Sequence, residues 1–166
     1  MIVTLAAIAS VVAALLELTI FDHLRIGGAR PHPVLVLGVI WAIGIGIEGG
    51  LAIAFVGGLA LDVLAQRPLG SSAFALLVAI GGAGIVGTSM GRLRPVAPVV
   101  AALVFSIVNS LILLGILAAL QGPVPLADPL TAVLPGAVYD TGLAAILGPI
   151  AIAMIDRRRG VERVGW

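Results

Sequence analysis

The chain has no cysteine, no lysine and a single tyrosine, and only 10% of its residues are charged. Without cysteine there can be no disulfide, no thiol nucleophile and no Cys-ligated metal. The shortage of charge excludes more. A soluble domain carries about 25% charged residues, and this chain falls far below that. A net charge of +1 is too small to imply a nucleic-acid partner. No polar stretch is longer than the 11 residues after Ile155, so a catalytic domain outside an apolar bundle is not expected.

What remains is apolar. Hydrophobic residues make up 61% of the 166 positions, in runs separated by short polar punctuation. Crossing a bilayer core of ~30 Å takes about 20 apolar residues. The runs divide best into six spans, at about 2–21, 33–47, 49–65, 72–90, 96–120 and 131–155, which predicts a single all-α membrane domain. Glu48-Gly49-Gly50 is expected at the tip of a tight hairpin between the second and third spans. If those two spans were one helix, the count would be five. The opening segment lacks a basic leader and a small-x-small cleavage site, so the first helix is expected to be retained.

Cytoplasmic loops retain positive charge. With both termini inside, the inner side holds Arg92, Arg94, Arg157, Arg158, Arg159 and Arg163, against Arg25, Arg30 and Arg67 outside. The reading is therefore a multi-pass protein of the cytoplasmic membrane with both termini cytoplasmic.

Helices in lipid gain little from simple hydrophobicity and instead need close backbone contact through small residues. Stripes at four-residue spacing occur at Ala9 and Ala13; at Gly50, Ala54 and Gly58; at Ala83, Gly87 and Gly91; at Ala102, Ser106 and Ser110; and at Gly136, Asp140, Ala144 and Gly148. Such positions share one helix face. Ordinary packing inside the bundle accounts for most of them, with one or two left to face a partner.

Four acids fall in or beside apolar spans: Glu17, Glu48, Asp62 and Asp140. A carboxylate at mid-membrane costs at least ~2.5 kcal/mol, so it needs a partner or a role. Glu17 is expected to snorkel outward or pair with Arg25, and Glu48 to be solvated at its turn. Asp62 is expected to cap or clamp the Gln66–Ser71 loop, with an ion or proton site as the alternative. Asp140, beside Tyr139, is the most deeply placed. Its structural reading is a hydrogen bond to Asn109 or Ser110, and its sharper reading is proton or cation coupling. His23 and His32, nine residues apart, form only a weak metal signal. GGAGIVG lies inside an apolar run, so its glycines serve packing rather than phosphate binding. No nucleophile–base set can be assembled, and no cofactor or resident metal is expected.

The stretch from Glu48 to Gly70, EGGLAIAFVGGLALDVLAQRPLG, resembles the rod shape-determining protein MreD family, whose Gly-rich third helix ends in an Asp and is followed by a short Pro-Leu-Gly loop. Leu134-Pro135 ahead of Tyr139, and the basic tail, agree. At Asp140 an amide would be expected, a departure from the pattern.

The resemblance implies a six-helix bundle similar to the substrate-binding subunit of energy-coupling-factor transporters. It implies a non-enzymatic subunit of the cell-elongation complex that organises peptidoglycan synthesis. Its partners would be a bitopic MreC-like protein and, with it, MreB, RodA and the RodA transpeptidase partner. Asp62, Arg67, Pro68, Gly70, Tyr139 and Asp140 would then be partner-binding or structural residues, and Ala9, Ala13, Gly50, Ala54 and Gly58 would serve helix packing. The alternative is a substrate-binding subunit of a vitamin transporter docking through Ala9 and Ala13. Against it, the outer loops are poor in aromatic and amide side chains, and Trp41 is the only indole within the bundle. A small proton-coupled permease using Asp140 is a third option.

Overall fold

Each apolar run forms a helix. In the computed structural model, which describes residues 2–20, 31–89, 96–121 and 129–163, the elements are α1 (Ile2–Thr19), α2 (Pro33–Gly44), α3 (Ile47–Leu64), α4 (Ser71–Ser89), α5 (Ala97–Gln121) and α6 (Pro129–Arg163). All regular structure among the described residues is helical, so the backbone polar groups of each segment are met within it, as an apolar surrounding requires.

Three helical stretches are long and apolar enough to cross a membrane: Ile47–Leu64, Ala97–Leu120 and Val133–Ile155. The apolar stretches of the other three, Val3–Thr19, Pro33–Gly44 and Ser71–Gly87, are shorter, and α2 departs furthest from a full span. It has 12 residues, a length of about 18 Å at ~1.5 Å per residue, well short of the ~30 Å apolar core. Its residues explain its place. PVLVLGVIWAIG is apolar on every face, and nine of the twelve residues are buried. A helix without a polar face belongs inside a bundle. Accordingly α2 touches all five other helices.

α2 starts at Pro33, whose fixed φ and missing N–H suit the first helical position. It ends at Ile45 and Gly46, whose N–H groups both donate to the Trp41 carbonyl, at 2.9 and 3.0 Å. The turn between α2 and α3 is therefore Ile45-Gly46, ahead of the expected Glu48-Gly49-Gly50, and Glu48 lies exposed in the first turn of α3. The sixth helix also differs from expectation. Its backbone continues past Ile155 to Arg163, with Pro135 and Pro149 inside it. Asp and Arg are polar but do not break a helix, so the basic segment extends it rather than ending it.

α3 packs most extensively against α4 and α1, and α5 pairs with α6. The glycines of α3 make the close approaches possible. A methyl group at Gly50 would lie 2.6 Å from Ala42 Cβ of α2, and one at Gly58 would fall onto the Ala73 backbone of α4. Ala54 between them is fully buried. This stripe is consumed by internal contacts. On α1, Ala13 is buried and Ala9 half-buried, so this stripe also faces inward. The outward faces carry large apolar side chains instead, among them Leu5 and Ile8 of α1, Ile85 of α4, and Val138, Ile146 and Met154 of α6.

Candidate functional site: two carboxylate centres

The sequence places acids near helix ends, and the fold gives two of those ends partners. The first centre is the α3–α4 corner. Asp62, fully buried in the last turn of α3, accepts from Gly70 N–H through Oδ2 at 2.8 Å and from Ser72 N–H through Oδ1 at 2.9 Å. A carboxylate on the orphan amides of a helix start is a favourable cap, reinforced by the helix dipole. The loop it closes is tightly made. Arg67 N–H returns to the Asp62 carbonyl at 2.9 Å, and Ser71 donates to the Pro68 carbonyl through both its N–H and its hydroxyl. Gly70 adopts φ +93°, a left-handed conformation that glycine takes without strain. The Arg67 guanidinium reaches Ser72 Oγ at 3.4 Å. Asp62, Arg67, Pro68 and Gly70 thus belong to one rigid corner. Around it Val63, Leu64, Leu69 and Phe74 are exposed, Leu69 most of all at 74%.

The second centre joins three helices. His32, the residue before α2, donates its backbone N–H to Asp140 Oδ1 of α6 at 2.6 Å. Its imidazole Nδ1 lies 2.8 Å from Glu17 Oε1 of α1. Ser106 of α5 donates its hydroxyl to the other oxygen of Asp140. Glu17, Asp140 and Ser106 are all buried. Glu17 Oε2 also approaches Val34 N–H at 3.5 Å, so both acids face the N-terminal end of α2, where partial positive charge favours them.

Three expectations change here. Glu17 is not an outward-reaching acid but a buried partner of His32, while Arg25 lies outside the described residues. Asp140 bonds to Ser106 and to the His32 backbone rather than to Asn109 or Ser110, because Ser106 lies about one turn earlier on the same α5 stripe. His32 becomes the central residue of the cluster, whereas His23 lies outside the described residues, as do Arg30, Arg92, Arg94 and Asp128. Tyr139 is half-buried beside Asp140 in sequence.

Next to this cluster is a cavity of about 10 Å³, bordered by Glu17, His32, Arg67, Ser72 and Asn109 among others. That is room for about one water. Asn109 is 3% exposed, and its Oδ1 has no hydrogen-bond partner. Among the described residues no group of three His, Cys, Asp or Glu side chains could hold a metal ion. The two centres touch through this cavity, since Arg67 and Ser72 of the corner and Glu17 and His32 of the cluster share its wall.

The sequence signal for His32 was its place, a polar residue just ahead of Pro33 and a fully apolar helix. Nothing local to Glu17 or Asp140 names that partner.

Comparison of the chain with protein-family models, with curated proteins and with solved structures gives no match.

Proposed function

We propose that the chain is a non-enzymatic, multi-pass subunit of the bacterial cytoplasmic membrane that serves the cell-elongation complex by binding a bitopic MreC-like protein. In this reading the six helices form a bundle like that of an energy-coupling-factor substrate-binding subunit, with both termini cytoplasmic. MreB, RodA and the RodA transpeptidase partner act with it in organising peptidoglycan synthesis. The reading starts from the resemblance of the Glu48–Gly70 stretch, and one observation carries it. Asp62 holds the Arg67–Gly70 loop in a single shape and leaves Val63, Leu64, Leu69 and Phe74 exposed around it. A rigid corner with an apolar rim is a surface that a membrane partner can bury with little ordering cost.

The vitamin-transporter alternative gains less support. Ala13, half of its expected docking stripe, is turned into the bundle.

The test compares co-purification of the MreC-like partner with tagged wild type, Asp62→Ala, Leu69→Asp and Gly70→Leu, at matched membrane levels. The reading requires reduced recovery of the partner with at least Leu69→Asp, which leaves the clamp intact. Normal recovery with all three variants contradicts the assignment of this corner as the partner surface.

A further inference from the structure

Independently of the partner reading, Asn109 presents an acceptor that the folded chain leaves unmet. It sits in the middle of α5, far from either helix end. Backbone N–H groups inside a helix donate to the carbonyl four residues earlier, so α5 offers this side chain no donor of its own. Asn109 is 3% exposed, and its Oδ1 has no hydrogen-bond partner among the described residues. A buried amide oxygen without a donor has given up its hydration for nothing. In folded proteins such atoms are commonly met by ordered water.

The surroundings indicate which donor suits the site. Asn109 borders a cavity of about 10 Å³, enough for about one water. Glu17, Arg67 and Ser72 lie on the same wall. They bring both kinds of group to one small space, since a guanidinium only donates, a carboxylate only accepts and a hydroxyl does either. A water also does both, and a buried one typically makes about three hydrogen bonds. A metal cation takes only acceptors and would find a guanidinium among its neighbours. Apart from His32, the rest of the wall is valine and leucine, which confine a water without competing for it.

We propose that one water binds in this cavity as a fixed part of the fold, donating one hydrogen to Asn109 Oδ1 and bonding otherwise to the polar groups of the same wall. Its neighbours give it a role. Glu17 belongs to α1, Ser72 to the first turn of α4 and Arg67 to the α3–α4 corner. α1 and α5 do not pack extensively against each other, so the water supplies a polar link between helices that share little direct contact. It also joins the corner closed by Asp62 to the cluster at the start of α2.

Asn109 is the only asparagine in the chain. Protein made with carbon-13- and nitrogen-15-labelled asparagine therefore reports on this one side chain, with no substitution at the site. Full-length labelled protein in phospholipid nanodiscs would be studied by NMR. A dipolar cross-peak between the Asn109 side-chain amide hydrogens and water is expected. It should survive addition of a water-soluble gadolinium chelate, which suppresses contacts with bulk water but does not reach a water enclosed in the bundle. The side-chain carbonyl carbon should keep its shift when Na⁺ is varied at constant pH.

Folded protein whose Asn109 amide shows no water cross-peak overturns the proposal. So does a cross-peak that the chelate abolishes, which would place the water at the surface. A carbonyl shift that follows Na⁺ also overturns it, in favour of a bound metal cation.

Discussion

The backbone N–H of His32 donates to the carboxylate of Asp140 at 2.6 Å, across 108 positions of sequence. This contact ties the start of the shortest helix, α2, to the first half of the longest, α6. Since Ser106 holds the other oxygen of Asp140 and Glu17 holds the His32 ring, α1, α2, α5 and α6 meet at one polar point.

Removing Asp140 should leave two donors stranded, the His32 amide and the Ser106 hydroxyl. An unsatisfied buried donor costs about 1–3 kcal/mol. Asp140→Ala is expected to lower stability by that order in detergent unfolding followed by tryptophan fluorescence. Asp140→Asn, which keeps an acceptor, should lose less. Equal losses for the two would show that the hydrogen bonds contribute little.

Glu17 and His32 should be energetically coupled. Buried partners typically show coupling of about 0.5–3 kcal/mol in a double-mutant cycle. For Glu17→Gln, His32→Gln and the pair, a loss for the double variant smaller than the sum of the singles is expected. Strict additivity would mean that the 2.8 Å contact carries no net energy.

At the α3–α4 corner, Asp62→Ala removes the cap of α4, and losing such a cap costs roughly 1–2 kcal/mol. The loss should be local first, with hydrogen exchange rising at the Gly70 and Ser72 amides before the rest of the bundle responds. Unchanged protection there would contradict the clamp.

Two glycines make a paired contrast. Gly58→Ala puts a methyl group onto the Ala73 backbone, and overpacking of this kind costs about 1–3 kcal/mol. At Gly115 nothing lies within 4 Å of an added Cβ, so Gly115→Ala should be neutral or stabilising by up to ~1 kcal/mol through helix propensity. Thermal unfolding of the two variants separates these outcomes.

The helices were legible in the sequence because punctuation is local. Gly-Gly pairs, prolines and charges interrupt the apolar runs, and α3, α4 and α5 begin and end within a residue or two of the expected positions. Less was legible where length and context decide. The run after Pro33 looks like a membrane span by composition, but Gly46 ends the helix early and its uniformly apolar faces bury it. The basic residues after Ile155 look like a stop, yet nothing in them prevents the helix from continuing.

The Asp62 corner could be anticipated because its bonds span only 8 to 10 residues. The Glu17–His32–Asp140 cluster could not, since its members come together only once α2 is inserted among the other helices. Helical spacing also leaves a one-turn ambiguity on α5, where Ser106 and Ser110 share a stripe and only the packing against α6 chooses Ser106.

The most direct test of the functional account is to solubilise membranes gently, recover the tagged wild-type protein and identify what accompanies it. The account predicts a bitopic protein with a coiled coil and a large periplasmic part, with or without the polymerase and transpeptidase pair. Recovery of ATPase subunits and a helical coupling protein in its place would contradict it and make the chain a transporter component.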